Sequence, residues 1–207
     1  IARRSEIVIL AFKPQDLKAA GPDLAAALTP RHLVITILAG VKISKVRKML
    51  GGRPTVVRAM PNLGAVVGEA VTALTGPRGP HLAAAKAIFS GCGQVLVLPE
   101  SKFDLVTALS GSGPAYFFYL MELLIREGMA RKLSKDEAET LIRQTAKGAA
   151  VLANGAGEPP ASLRARVTSK GGTTEAALKT LARGGFPRLF SRAIGAAVRR
   201  ARELGGG

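Results

Sequence analysis

Short runs of apolar residues, many of them β-branched, alternate with helical stretches in the first half of the chain. The pattern predicts strands over residues 6–12, 33–38, 55–60, 70–74 and 94–98. Helices are predicted from Pro14 onward and near residues 45–50 and 82–89. Strands that alternate with helices in this way are typical of an α/β fold with a parallel sheet and crossover helices.

The second half of the chain has no strand pattern. Its apolar residues recur at helical spacing, which predicts helices over residues 115–130, 135–152, 162–167, 174–182 and 187–204. Residues 154–160 (N-G-A-G-E-P-P) interrupt this pattern as a helix stop and a loop. The predicted fold class is therefore α/β followed by all-α, with a sheet domain at residues 1–100 and a helical domain at residues 101–207.

The composition excludes several classes of protein. Apolar residues make up 47% of the chain, which indicates a packed fold rather than disorder. Cys92 is the single cysteine, and His32 and His81 stand apart from other ligand types, so neither an intrachain disulfide nor a metal site is expected. No apolar run approaches the roughly 20 residues of a membrane span. We therefore expect a soluble, cytoplasmic protein with no membrane partner.

The chain is strongly basic. Its 30 lysines and arginines against 14 acidic residues give a formal charge of +16, which makes nucleic-acid binding a competing function. The basic residues are scattered, however, with one local cluster at Arg192, Arg199, Arg200 and Arg202, and few aromatic side chains are available to stack on bases. A solvated basic surface, or a preference for anionic substrates, is the favoured interpretation, and nucleic acid is not expected as a partner.

A dinucleotide-binding sheet normally carries G-x-G-x-x-G at its first strand-to-helix turn, and this motif is absent from the chain. Residues 111–114 (G-S-G-P) lie between helical segments, and residues 91–93 (G-C-G) precede a strand. Both are interpreted as turn or close-packing glycines.

Two loops follow predicted strands at the end where open α/β sheets bind ligands. Residues 11–15 (A-F-K-P-Q) leave the first strand and enter a helix. They could contact a dinucleotide, or form an ordinary connection with proline in the first helical turn. Asn62 follows the third strand in M-P-N, where it could donate to a cofactor amide or stabilise a turn.

Residues 167–175 (V-T-S-K-G-G-T-T-E) place hydroxyl groups and glycine amides just ahead of a predicted helix. Backbone N–H groups at a helix N-terminus suit a small carboxylate or phosphate. The alternative is N-capping by Thr173 or Thr174 after a Gly-Gly turn. On spacing alone both interpretations remain open.

Four ordered motifs together resemble the pyrroline-5-carboxylate reductase family. Residues 12–15 (F-K-P-Q) look like the family's A-V-K-P-Q loop, and residues 57–62 (V-R-A-M-P-N) look like its V-R-x-M-P-N element. Residues 109–116 (L-S-G-S-G-P-A-Y) resemble its helical-domain signature, and residues 167–174 resemble its V-T-S-P-G-G-T-T motif. The resemblance implies a partial Rossmann-like domain, a helical dimerisation domain and the reduction of 1-pyrroline-5-carboxylate to L-proline with NADP(H) or NAD(H).

The resemblance also implies site residues at the matching positions. The nicotinamide half of the cofactor site would be lined by Ala11, Phe12, Lys13, Pro14, Leu38, Ala39 and Gly40, with Asn62 close by. The substrate would be bound by Ser169, Gly171, Gly172, Thr173 and Thr174, with Thr174 as the catalytic hydroxyl. Glu100 falls where the family has an acidic residue near the substrate, which implies a catalytic and substrate-binding role. The alternative role of Glu100 is that of an acidic residue at the start of a helix.

Three departures from the family pattern bear on activity. Lys170 replaces a proline in the anion loop, Phe12 replaces a smaller valine, and either change could lower turnover. The match begins inside the family's nucleotide domain, so roughly 55–65 residues with the first strand and the glycine fingerprint are expected to precede it. That segment would also determine the choice between NADP and NAD.

The family dimerises through its C-terminal helices and often forms larger rings. Tyr116, Phe117, Leu120 and Leu124 give this chain an apolar helix face that fits self-association. Two alternatives remain open. One is a related imine or β-hydroxyacid reductase, favoured if Lys170 marks a changed substrate; the other is a non-catalytic basic binding or assembly protein.

Overall fold

The computed structural model describes residues 4–205 of the chain. They fall into two compact units: unit 1 is Ile1–Pro114 together with Ile194–Gly207, and unit 2 is Ala115–Ala193. This division differs from the predicted boundary after Glu100. Phe103 is fully buried and Ala201 is 2% exposed, both within unit 1, which explains why these helical segments count with the sheet rather than with the other helices.

Unit 1 is built on a five-stranded sheet. Its strands are β1 (Ile7–Leu10), β2 (Leu33–Thr36), β3 (Thr55–Met60), β4 (Ala70–Thr75) and β5 (Gly93–Val97), and they lie in this order across the sheet. All five predicted strands are present, with ends that differ from the predictions by at most two residues.

The sheet departs from an all-parallel arrangement at one place. Strands β1, β2 and β3 are parallel, β4 runs antiparallel to β3 with Met60 opposite Ala73, and β5 is parallel to β4. A parallel partner needs a crossover of about a dozen residues or more. Only residues 61–69 join β3 to β4, and they contain a short 3-10 turn at Leu63–Val67. The connection is too short for a crossover, so β4 returns in the opposite direction.

Helices α1 (Leu17–Ala27), α2 (Ile43–Met49) and α3 (Pro80–Ser90) pack on the two faces of this sheet. Val34 belongs to a buried cluster with Leu17 of α1 and Val46 of α2. Its neighbour Ile35 belongs to a second buried cluster with Phe89 of α3. Successive strand residues point to opposite faces, so α1 and α2 cover one face and α3 covers the other.

A short helical segment follows β5 and was not predicted. It consists of a 3-10 turn (Glu100–Lys102), helix α4 (Phe103–Val106) and a π-helical turn (Thr107–Gly111). The Thr107 hydroxyl donates to the Phe103 carbonyl at 2.8 Å. Turns of this π type are frequent at functional sites, and this one contains the first residues of the L-S-G-S-G-P-A-Y motif.

The remaining helices are α5 (Gly113–Ala130), α6 (Lys135–Gly155), α7 (Pro160–Arg166), α8 (Thr173–Arg183) and α9 (Phe186–Gly205), and all five were predicted. Helix α6 starts with a capping box formed by Ser134 and Glu137. Ala138 is the one fully buried apolar residue among the described residues of unit 2, whereas Phe117 is 67% exposed and Leu120 is 50% exposed. Unit 2 therefore presents a large apolar surface.

Across residues 4–205, no helix combines the length and the apolar character that crossing a bilayer requires.

Candidate active site

The loops after three neighbouring strands lie at one edge of the sheet. Strands β1, β2 and β3 are parallel and in register, with Leu10 beside Thr36 and Thr36 beside Arg58. We call the side where these three strands end the carboxyl edge. Eight residues predicted for the cofactor follow these strand ends, so unit 1 brings to the carboxyl edge Ala11, Phe12, Lys13, Pro14, Leu38, Ala39, Gly40 and Asn62.

The loop after β1 divides its residues between core and solvent. Phe12 packs against the buried cluster that contains Leu10 and Leu38, so its ring helps to hold the loop on the sheet. Lys13 is exposed and its backbone is extended, directly before the 3-10 turn that starts at Pro14. Lys13 is therefore the polar side chain that this loop offers to a ligand.

The turn after β2, residues 38–40, is tightly built, with Leu38 and Gly40 buried and Ala39 half-buried. Leu38 is 2% exposed, and its N–H donates to the Thr36 hydroxyl at 3.4 Å. Gly40 has φ +77°, a conformation that residues with a Cβ rarely adopt. A Cβ at Gly40 would also lie 2.6 Å from the carbonyl oxygen of Ala201, so the position requires glycine for two reasons. We call residues 38–40 the β2 turn.

Asn62 connects two of the motifs seen in the sequence. Its Oδ1 accepts the N–H of Gly64 at 3.1 Å, which caps the 3-10 turn after β3. Its Nδ2 donates to the Ser110 hydroxyl at 3.2 Å. Asn62 thus stabilises a turn, one of its two predicted roles, and joins the carboxyl edge to the π-helical turn.

Glu100 is held by hydrogen bonds inside unit 1. Its Oε1 accepts the N–H of Ile43 at 2.8 Å and Nη1 of Arg58 at 3.1 Å. The guanidinium carbon of Arg58 lies 4.8 Å from the centroid of the Phe103 ring. The Arg58 side chain is 2% exposed and that of Glu100 is 31% exposed. Glu100 therefore neutralises a buried cation and fixes the amino end of α2, just after the β2 turn.

The predicted substrate residues lie together in unit 2, in the loop before α8, residues 169–174, which we call the α8 loop. Helix α8 begins at Thr173 with Gly172 as its N-cap, so capping by Thr173 or Thr174 is wrong. No side chain caps this helix, which leaves the first-turn amides of Thr173 and Thr174 without a cap among the described residues. Ser169 lies so close to Gly172 that a Cβ there would overlap its hydroxyl oxygen.

The two glycine amides of the α8 loop are engaged inside the loop. Gly171, at φ +74°, donates its N–H to Glu175 Oε2 at 2.9 Å, and Gly172 donates to the Ser169 carbonyl at 3.0 Å. The Gly171 N–H, followed by Lys179, lowers the pKa of Glu175 below its usual range. Any anion at this loop would therefore rely on the first-turn amides of α8 and on the hydroxyl groups.

Sequence analysis missed the residues that support these sites. Arg58, Ile43 and Ser110 each contact a predicted site residue from a distant part of the chain. Arg58 and Ser110 carried a signal, because they lie within the V-R-A-M-P-N and L-S-G-S-G-P-A-Y motifs, whereas Ile43 lies in none of the four motifs. The predicted cofactor residues and Glu100 lie in unit 1, and the α8 loop lies in unit 2. Each group is brought together within its own unit.

A cavity of about 1040 Å³ lies at the opposite edge, where β1 and β2 begin, lined by residues that include Glu6, His32 and His81. It holds none of the predicted site residues. The chemistry of the motifs points to the carboxyl edge, because open α/β sheets bind their ligands beyond the carboxyl ends of the strands. In the part of the chain that the structure describes, no group of three or more His, Cys, Asp or Glu side chains could hold a metal ion.

Comparison with known proteins identifies the family. Residues 100–204 match the family model described as pyrroline-5-carboxylate reductase dimerisation. The pyrroline-5-carboxylate reductase of Pseudomonas aeruginosa is 41% identical over 206 residues, which is 97% of this chain and 75% of the relative. The chain belongs to the pyrroline-5-carboxylate reductase family. A pyrroline-5-carboxylate reductase of Arabidopsis thaliana is 37% identical over 99% of this chain and 75% of its own length.

Solved structures of pyrroline-5-carboxylate reductases have the same fold. The enzyme of Plasmodium falciparum, solved with NADP bound, superposes with a TM-score of 0.91 at 29% identity, over 99% of this chain and 79% of that one. The enzyme of Coxiella burnetii superposes with a TM-score of 0.87 at 38% identity, over 98% of this chain and 77% of that one. The resemblance seen in four motifs is confirmed, and so is the predicted fold class.

Proposed function

We propose that the chain reduces 1-pyrroline-5-carboxylate to L-proline with NADPH or NADH, the last step of proline biosynthesis. The observation that carries this proposal is the colinear match to pyrroline-5-carboxylate reductases over 97% of the chain. Two features of the fold support it: three strand ends collect the predicted cofactor residues, and an uncapped helix terminus follows a glycine loop.

The carboxyl edge fits a nicotinamide cofactor. Parallel strands there present short loops, and Gly40 keeps the β2 turn compact by letting the end of α9 pack against its backbone. Lys13 offers an exposed ammonium group, and the β2 turn offers backbone groups. When bound, the reduced cofactor supplies a hydride. Residues 11–14, the β2 turn and Asn62 would hold its nicotinamide half.

The α8 loop supplies the proposed substrate site. The carboxylate of the substrate would accept hydrogen bonds from the first-turn amides of Thr173 and Thr174 and from the Ser169 hydroxyl. The glycines at positions 171 and 172 keep the loop narrow, since their own amides are already bound inside it. The Thr174 hydroxyl would bond the ring nitrogen and so fix the direction of the C=N bond.

Orientation and the exclusion of water account for most of the proposed catalysis. Hydride adds to C5 of the protonated imine while the C=N π electrons pass to nitrogen, so little protein acid is needed. The role of Glu100 in favouring the cationic imine stays a prediction. Its Oε1 already serves Arg58 and Ile43, which reduces the charge that it can offer to a substrate.

We assign cofactor binding to residues 1–100, and substrate binding with dimerisation to residues 101–207. The match of residues 100–204 to a dimerisation region supports self-association through the C-terminal helices. A larger ring of dimers is part of the proposal, as is a cytoplasmic location, where a single cysteine such as Cys92 stays reduced.

The test is an assay of the purified protein with 1-pyrroline-5-carboxylate, other cyclic imines and β-hydroxyacids, each with both cofactors. Loss of reduced cofactor and formation of proline are measured together. We expect turnover of 1-pyrroline-5-carboxylate to exceed that of the other substrates by about tenfold or more. Faster turnover of another imine or of a hydroxyacid would overturn the proposal, as would salt-dependent retention on DNA without any cofactor binding.

A further inference from the structure

The last turn of α9 packs against the β2 turn inside unit 1. A Cβ on Gly40 would lie 2.6 Å from the Ala201 carbonyl oxygen and 2.8 Å from the Gly205 nitrogen. In the other direction, a Cβ on Gly205 would overlap the Gly40 carbonyl oxygen. The two backbones therefore touch, with no side chain between them.

Two polar contacts hold the end of α9 in this position. The Nζ of Lys45, on α2, donates to the Gly205 carbonyl at 3.0 Å. The Nε of Arg202 lies 3.6 Å from Oδ2 of Asp104, on α4. Ala201, directly before Arg202, is 2% exposed. The end of α9 is thus held by contacts with both α2 and α4.

The β2 turn is held from a second direction as well. Glu100 accepts the N–H of Ile43, two residues beyond Val41, whose own N–H donates to the Leu38 carbonyl at 3.3 Å. Glu100 fixes the chain after the turn, and α9 fixes the turn itself at Gly40. A backbone held at both points has little freedom to adapt to a ligand, so its conformation is set before binding.

We propose that the last turn of α9, residues 201–205, is a positioning element that holds the β2 turn in the shape that receives the nicotinamide half of the cofactor. The effect on cofactor binding rests on the proposed function, whereas the packing of α9 on the β2 turn does not. None of these five residues touches the reacting atoms. They act through Gly40.

The first test uses two glycines of the same helix. Gly205→Ala places a methyl group against the Gly40 carbonyl, whereas a Cβ at Gly195 meets only Arg199 Nη1, at 3.6 Å. We expect Gly205→Ala to raise the Kd and KM of the reduced cofactor about 3- to 10-fold, with a smaller change in the KM of the imine. Gly195→Ala is expected to leave these constants unchanged, because that site has room.

The second test leaves the contact between the backbones of α9 and the β2 turn in place. Lys45→Met removes the hydrogen bond to Gly205, and Lys48→Met removes an equal charge from the same helix at an exposed position with no ion pair to the described residues. We expect Lys45→Met to raise the cofactor Kd about 2- to 5-fold and Lys48→Met to leave it unchanged. This pair keeps the inference testable if Gly205→Ala does not fold.

Amide hydrogen exchange separates this inference from the proposed function. Exchange at residues 38–42 should speed up in Gly205→Ala and in Lys45→Met, and not in the two controls. If the unaltered protein binds no nicotinamide cofactor, the proposed function fails and exchange still decides whether α9 holds the turn. Unchanged exchange at residues 38–42 would overturn the inference. A lower melting temperature with an unchanged cofactor Kd would also overturn it, because that pattern indicates a purely structural contact.

Discussion

Glu100 and Arg58 form an ion pair whose two members are buried to different extents. The Arg58 side chain is 2% exposed and lies against Phe103, and in residues 4–205 its Nη2 has no hydrogen-bond partner. Glu100 is 31% exposed. The arginine depends on its partner for charge balance, whereas solvent can hydrate part of the glutamate. Replacing Glu100 should therefore lower the free energy of unfolding by a different amount than replacing Arg58.

We expect Glu100→Ala to destabilise the protein by about 2–4 kcal/mol, since it leaves a buried guanidinium without a counter-ion. Arg58→Met should cost less, because Glu100 stays partly hydrated, keeps the Ile43 N–H and faces an apolar side chain of similar length. Urea unfolding of both variants provides the measurement. If Arg58→Met loses as much stability as Glu100→Ala, or more, charge balance does not dominate the energetics of this pair.

Thr174→Ala should lower kcat by about 10- to 100-fold, because it removes the proposed hydrogen bond to the ring nitrogen. Thr174→Ser should recover much of the loss, since it keeps the hydroxyl group. Steady-state kinetics with 1-pyrroline-5-carboxylate provide the measurement. Thr180→Ala is the control, as its hydroxyl bonds the Ala176 carbonyl within the same helix at 3.0 Å. Unchanged turnover in Thr174→Ala would remove this residue from the mechanism.

Single residues were predictable where a local motif defines them. Asn62 could be assigned a turn role from M-P-N alone, and the structure confirms it with the Gly64 bond. Its bond to Ser110 joins residues 48 positions apart, so no local pattern contains it. The contact between Gly40 and Gly205 is equally invisible in the sequence, since glycine has no side chain whose type would suggest a partner.

Whole elements were more predictable than their arrangement. Apolar periodicity identified every strand and most helices, because burial on one or both faces leaves a direct trace in the sequence. The direction of β4 follows from the length of the link after Met60, which periodicity does not report. Helix α4 and the π-helical turn were missed because their apolar residues, such as Phe103 and Leu109, fit no extended pattern.

The start of α8 provides a prediction about pH. Bonds from Gly171 and Lys179 lower the folded-state pKa of Glu175, so the stabilisation is complete above the ordinary glutamate value of about 4.3 and is lost as the pH falls through the lowered value. We expect the Gly171 amide proton to titrate with a midpoint below 4.3, measured by NMR from neutral pH downward. In Glu175→Gln this titration should vanish. A midpoint at or above 4.3 would contradict the bond between Glu175 and Gly171.

At the scale of the whole molecule, the exposed apolar residues of unit 2 require a partner surface. Phe117, Phe118, Tyr119 and Leu120 are each at least 50% exposed on consecutive positions of α5. These four positions point to different sides of the helix, so α5 exposes apolar side chains around most of its circumference, which soluble monomers rarely do. The match of residues 100–204 to a dimerisation region indicates a second copy of this chain as the partner.

We expect analytical ultracentrifugation to show a dimer or a ring of dimers, with no monomer at micromolar concentration. Phe117→Glu places a charge in the apolar surface and should shift the population toward monomer, because an unpaired charge is costly to bury. Lys86→Glu on α3 is the control, since it lies outside the matched dimerisation region. A monomer in the unaltered protein, or equal assembly of both variants, would contradict this prediction.

The packing of Gly205 on Gly40 has a practical consequence for how the protein is purified. Residues fused directly after Gly205 would crowd the β2 turn, which is proposed to receive the nicotinamide. Weak activity in a carboxyl-tagged preparation would then reflect the tag rather than the enzyme.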